Sequence, residues 1–139
     1  MPKKPNRENG IPNDFKFITR QGHTLSMHEI QAEYTVLLFH DPECNLCEQI
    51  LTLLTKEPAL SKAGVAVLAI YPDNDMELWQ SKTYNMPKNW YDAYSPDGEL
   101  IEHQIYFISS TPSIYLLDKD KRVVLKGTTP QELLKNLVN

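Results

Sequence analysis

Cysteine is scarce in this chain: two of 139 residues, Cys44 and Cys47. That is too few for a disulfide-framed mini-domain, and a chain of this length can bury a core without metal or disulfide staples. Long apolar runs are missing as well. The longest, VLLF at 36–39 and VAVLAIY at 65–71, fall far short of the roughly 20 residues that cross a bilayer as a helix. A basic excess is also lacking. Fourteen Lys and Arg against eighteen Asp and Glu leave a formal charge of −4, which argues against a non-specific nucleic-acid binder. No block of like charge appears, and no internal repeat. The opening MPKKPNRENGIPNDF has no apolar h-region, so it does not read as a signal peptide; a trimmed secreted chain would look the same.

What is present fits one globular domain. Residues 1–13, rich in Pro, Asn, Lys and Gly, read as a flexible lead-in or linker, with the folded domain over 14–139. FKFITRQGHTLSM (15–27) suggests two short strands about a turn at Gln21-Gly22. YTVLLFH (34–40) and GVAVLAIYPD (64–73) are near-continuous apolar runs, as expected of strands covered on both faces. Between them Cys47, Ile50, Leu51 and Leu54 recur at helical spacing. DNDMELWQSKTY (73–84) reads as a helix capped by Asp73 or Asn74. WYDAYSPDGEL (90–100) reads as a short strand, a turn at Pro96-Asp97-Gly98 and the start of another helix. Ser113–Leu117 and Arg122–Lys126 form a hairpin pattern, and TTPQELLKNLV (128–138) a closing helix capped by Thr128 or Thr129 with Pro130 at its first position. The order is ββ βα βα βα ββ α.

The two cysteines stand three apart, where a buried strand gives way to an amphipathic helix. That spacing puts one at the helix start and the other a turn later on the same side. Unsatisfied N–H groups and the partial positive charge of the terminus stabilise a thiolate at Cys44 by up to ~2 kcal/mol in favourable geometry, which makes it a nucleophile. Cys47, on the inward side, would stay protonated and resolve the mixed disulfide. A strand opening with Thr111-Pro112 follows some sixty-five residues on. A proline there suits a tight or cis bond and leaves nearby backbone groups free to pair with an extended peptide.

Other readings of the pair remain open: a structural disulfide on an inactive fold, or half a metal site. Zinc asks for about four ligands, and no second cysteine pair exists; His23, His28, His40 and His103 are scattered, although His23 and His28 have H-x₄-H spacing. Trp79, Trp90, Tyr91 and Tyr94 are candidates for a groove rim, but such residues more often belong to the core. A peroxidatic cysteine would want Thr or Ser three residues before it and Pro seven before; here those places hold Asp41 and Leu37.

YTVLLFHDPECNLCEQI, the later TPSIYLLDKDKRVVLKG and the final amphipathic helix resemble a thioredoxin-fold protein. More narrowly, the chain is similar to the TlpA-like branch of envelope thiol-disulfide oxidoreductases, through its N-terminal hairpin and the extra strand–helix segment between AIYPD and TPS. The resemblance covers roughly residues 15–138. It implies an α/β fold with a central mixed sheet flanked by helices, and a periplasmic or cell-envelope location. It implies exchange of disulfides with protein or small thiol substrates through a dithiol that needs no metal or organic cofactor. Cys44 would attack, Cys47 resolve, and Thr111 and Pro112 face them against the substrate backbone.

This sequence departs from the family at specific positions. Glu43 replaces the usual Trp before the first cysteine, and Asn45-Leu46 stand where a Pro is common. The two usual places for a buried, proton-moving acid hold Leu38 and Ile50. Proton handling is then absent or reassigned, with His40, Asp41 and Glu48 the candidates. Asp41, Glu43 and Glu48 would oppose a thiolate and a protonated His40 would favour it, so the expectation is a reductant or slow exchanger. The rival expectation is a degenerate binding module of a larger envelope protein.

Overall fold

The structure is a computed structural model that describes residues 14–98, 100 and 110–137. The lead-in expected over 1–13 lies outside those residues. So does the helix expected after the Pro96-Asp97-Gly98 turn, apart from Leu100, which is buried.

Seven strands form one sheet in the order β2-β1-β5-β4-β3-β6-β7. β1 (Lys16–Thr19) and β2 (Thr24–Ser26) make the N-terminal hairpin, closed at Gly22, whose φ of +86° suits glycine. At the centre β3 (Tyr34–Phe39) pairs in parallel with β4 (Val65–Tyr71), and β4 in parallel with β5 (Trp90–Tyr94). β6 (Ser113–Leu117) runs antiparallel to β3 and to β7 (Val123–Thr128). The sheet is mixed, as expected.

β3 and β4 are apolar at nearly every position, buried Thr35 excepted, because both faces are covered. On one face Leu37, Phe39, Leu68, Ile70, Tyr115 and Leu117 pack with Phe17 and Met27. On the other, Val36, Leu38, Val67, Ala69, Ile114 and Leu116 meet Leu51 and Leu54 of α1 (Asn45–Thr55) and Leu133 and Leu137 of the closing helix, α3 (Pro130–Leu137). Each fully buried side chain of this kind contributes roughly 1.5–3 kcal/mol. α3 is capped by Thr129, whose Oγ1 accepts from Glu132 N–H at 3.2 Å.

α2 is shorter than its apolar and polar pattern suggests. It runs only Met76–Gln80, and its cap is Asp75, whose Oδ1 accepts from Leu78 N–H at 3.0 Å, rather than Asp73 or Asn74. Tertiary contacts end it. Arg20 Nη2 donates to the Lys82 carbonyl at 2.7 Å and Lys82 pairs with Glu48 of α1, which holds the chain after Ser81 off the helical path.

Candidate functional site

The dithiol sits where the sheet hands over to α1. β3 ends at Phe39; Cys44 N–H donates to the Asp41 carbonyl at 3.1 Å, so the chain turns back and α1 starts at once. Cys44 is the N-cap of α1, in extended backbone, and its Sγ accepts from the Cys47 N–H at 3.0 Å. The sulfur thus takes the place a capping oxygen usually fills. Cys47, one turn on, points inward. Cys44 is partly exposed, Cys47 is fully buried, and the two are joined in a disulfide with Cα atoms 5.2 Å apart. Cys44 Sγ also lies 3.8 Å from the Thr111 carbonyl oxygen. The Thr111-Pro112 bond is cis, and both residues are partly exposed beside the disulfide. Leu46, between the cysteines, is 55% exposed.

The surrounding charges differ from the expectation in two ways. Glu48 does not stand free against the sulfurs, because the Lys82 ammonium pairs with it. His40 is fully buried, and burial together with the nearby Arg20 guanidinium pushes its imidazole down to about 4. It is therefore neutral at physiological pH and supplies no positive charge to Cys44. Asp41 and Glu43 remain on the rim, Asp41 Oδ1 accepting from Glu43 N–H at 2.8 Å. Together with Asp73 and Asp75 from the β4–α2 loop they are felt by Tyr71: burial first, then these four carboxylates, raise its phenol to about 12. The mouth of the site is acidic.

Behind the dithiol lies a polar cluster that the sequence reading did not pick out. Arg20, after β1, donates through Nε to Asp92 Oδ2 of β5 at 2.8 Å and stacks over Trp79, 3.9 Å from the ring centroid. Burial raises the Asp92 carboxyl against the pull of Arg20. Tyr84 meets the His40 ring edge-on at 5.4 Å. A signal was available: side chains alternate along a strand, so Trp90, Asp92 and Tyr94 share a face, and an acid between two buried aromatics marks a buried charge. Its partners, Arg20 and Tyr84, are remote in sequence and left no local trace. Trp79, Trp90 and Tyr94 are buried and Tyr91 half-buried, core rather than groove rim. His23 and His28 are both exposed on the N-terminal hairpin side, and among the described residues no three His, Cys, Asp or Glu gather closely enough to hold a metal ion.

Comparison with solved structures agrees with this geometry. A conserved protein of unknown function from Bacteroides fragilis is 36% identical with a TM-score of 0.87, over 95% of this chain and 99% of that one. A thioredoxin-like protein from Bacteroides caccae is 29% identical with a TM-score of 0.89, over 96% of this chain and 50% of that one. The thioredoxin domain of a thiol-disulfide oxidoreductase from Bacteroides vulgatus is 18% identical with a TM-score of 0.79, over 96% of this chain and 99% of that one, a likeness of fold. No family model and no curated protein sequence matches the chain. The chain belongs to the thioredoxin-like superfamily, and its mixed sheet with flanking helices is the thioredoxin fold.

Proposed function

We propose that the chain is a thiol-disulfide oxidoreductase of the TlpA-like branch, acting on protein or small thiol substrates in the periplasm or cell envelope. The observation that carries this reading is the asymmetry of the bonded pair: one sulfur at the exposed tip of a helix, the other sealed one turn below. In the reducing direction the Cys44 thiolate attacks a substrate disulfide. A mixed disulfide forms and one substrate thiolate leaves. Cys47 then loses its proton and attacks the Cys44 sulfur, which re-forms the intramolecular disulfide and releases the second substrate thiolate. The helix N-terminus and the Cys47 N–H hold charge on the Cys44 sulfur. The Thr111 carbonyl, facing that sulfur, and Pro112 beside it offer an edge to an extended substrate backbone. Turnover of insulin disulfides with dithiothreitol tests this: the native chain accelerates precipitation and Cys44→Ser does not.

A second reading has its own support. The chain spans half of the Bacteroides caccae protein, and Glu43, Leu38 and Ile50 stand where the family carries other residues. A catalytically degenerate binding module of a larger envelope protein fits those facts. Equal insulin rates for the native chain and Cys44→Ser would favour it.

A further inference from the structure

His40 is buried, and neither its Nδ1 nor its Nε2 has a hydrogen-bond partner among the described residues. Leaving a buried polar group unpaired is costly, and a phenylalanine would fill the same space without that cost. Three observations place the ring beneath the start of α1. His40 follows the last residue of β3 and continues its pairing, donating its N–H to the Ile70 carbonyl at 3.0 Å, so by strand alternation it shares a face with Leu38, which packs in the cluster with Leu51 and Leu54 of α1. The chain returns from Asp41 to Cys44 in a tight turn, which sets the first turn of α1 over the end of β3. Tyr84, edge-on to His40, packs in the same cluster as Leu51 and Leu54 of α1. Cys47 is the inward-facing residue of that first turn.

Resolution of a mixed disulfide requires the proton of Cys47 to go somewhere, and this sulfur is sealed from solvent. Resting on the dithiol reading above, we propose that His40 is the proton-exchange partner of Cys47. The imidazole takes the thiol proton as the Cys47 sulfur bonds to Cys44 and the Cys44–substrate bond breaks; the substrate leaves as thiolate. In the opposite direction the imidazolium returns the proton to Cys47 as its bond to Cys44 opens. A neutral imidazole is suited to this, since it has an open lone pair to take the proton. The groups shown against His40 are the Arg20 guanidinium, at the end of β1, and the Tyr84 ring, after α2; Asp41 follows it in the chain, Tyr71 follows the Ile70 carbonyl that accepts its N–H, and the first turn of α1, with the cysteines, starts four residues on. Asp92 and the Lys82–Glu48 pair stand behind, acting through Arg20 and Tyr84. Arg20 opposes lasting protonation of the ring, so the proton passes on once the disulfide has formed.

The test follows the second thionitrobenzoate released after the reduced chain reacts with Ellman's reagent: the first leaves as Cys44 forms the mixed disulfide, and the second reports the attack of Cys47 on it. In the native chain the rate should change little between pH 6 and 8. In His40→Phe it should fall at least ~100-fold at the acid end, the span of a positioned acid–base group, and climb about tenfold per pH unit as the thiol ionises unaided. Matching pH profiles would overturn the proposal. Independently of how His40→Phe folds, the native chain gives a second reading through NMR titration of the His40 ring. Reduction should add a titration step shared with Cys47, kept in reduced Cys44→Ser and lost in reduced Cys47→Ser. Identical His40 titrations in the oxidised and reduced chain would overturn it. A Cys44 that never reacts with the reagent would sink the oxidoreductase reading and this inference with it, whereas normal reaction with an unchanged pH profile would sink the inference alone.

Discussion

Two residues set the chemistry of the site by where they sit on α1. Cys44 caps the helix and is partly exposed, while Cys47 is fully buried. Brief treatment of the reduced chain with iodoacetamide should therefore label Cys44 first, and peptide mass mapping that finds Cys47 labelled as fast would contradict the assignment of attacking and resolving sulfurs. His40 makes a separate claim on stability. Its imidazole titrates near 6.5 in the unfolded chain and about 4 in the folded one, so between those values the unfolded state binds more protons. The stability that depends on keeping His40 neutral is complete above about pH 6.5. It drains away as pH falls toward 4, by about 3 kcal/mol at 1.36 kcal/mol per pKa unit. Urea unfolding at pH 7 and 4.5 should show His40→Phe losing less stability on acidification than the native chain. Equal losses would mean the imidazole is not held neutral by the fold.

At the scale of elements, the Arg20–Asp92 pair ties three segments together: the hairpin of β1 and β2, the central strand β5, and the stretch after α2 through the Lys82 carbonyl. Its side chains are only 20% and 16% exposed, so removing one partner strands the other. Arg20→Ala should cost about 3 kcal/mol, at the low end for a broken buried pair because some solvent screening remains. Replacing both, Arg20→Met with Asp92→Leu, should cost much less. Chemical denaturation of the three variants measures this, and an additive double-mutant cycle would deny the coupling. These elements also show what the sequence disclosed and what it withheld. β3, β4 and α1 were legible because burial on both faces leaves unbroken apolar runs and a helix against the sheet leaves Cys47, Leu51 and Leu54 at matching intervals. The true extent of α2 was not, because its end is set by Arg20 and Glu48, sixty and thirty residues away. The dithiol was legible from its spacing and from the strand before it. The neutrality of His40 and the pairing of Glu48 were not, since each depends on a group from another element.

The whole molecule carries a formal charge of −4, and four carboxylates act on Tyr71, two of them, Asp41 and Glu43, in the turn that leads into Cys44. Such a field draws cationic partners and weakens with salt. A model disulfide peptide flanked by lysines should react faster than one flanked by glutamates, and the gap should narrow between 0.01 and 0.15 M salt, roughly 30 and 8 Å of screening length. Rates that ignore peptide charge would show that the rim plays no part in selection. Acids beside Cys44 oppose a thiolate there, so a dithiol toward the reducing end of exchangers is the expected outcome.

The most direct measurement of the central claim is the equilibrium of the Cys44–Cys47 pair in thiol–disulfide buffers, read by alkylation and mass under native conditions. The expected result is a reversible two-electron transition of the folded chain, with a midpoint more reducing than about −180 mV. A disulfide that opens only after the chain is unfolded, or a reduced pair that does not close again, would contradict it.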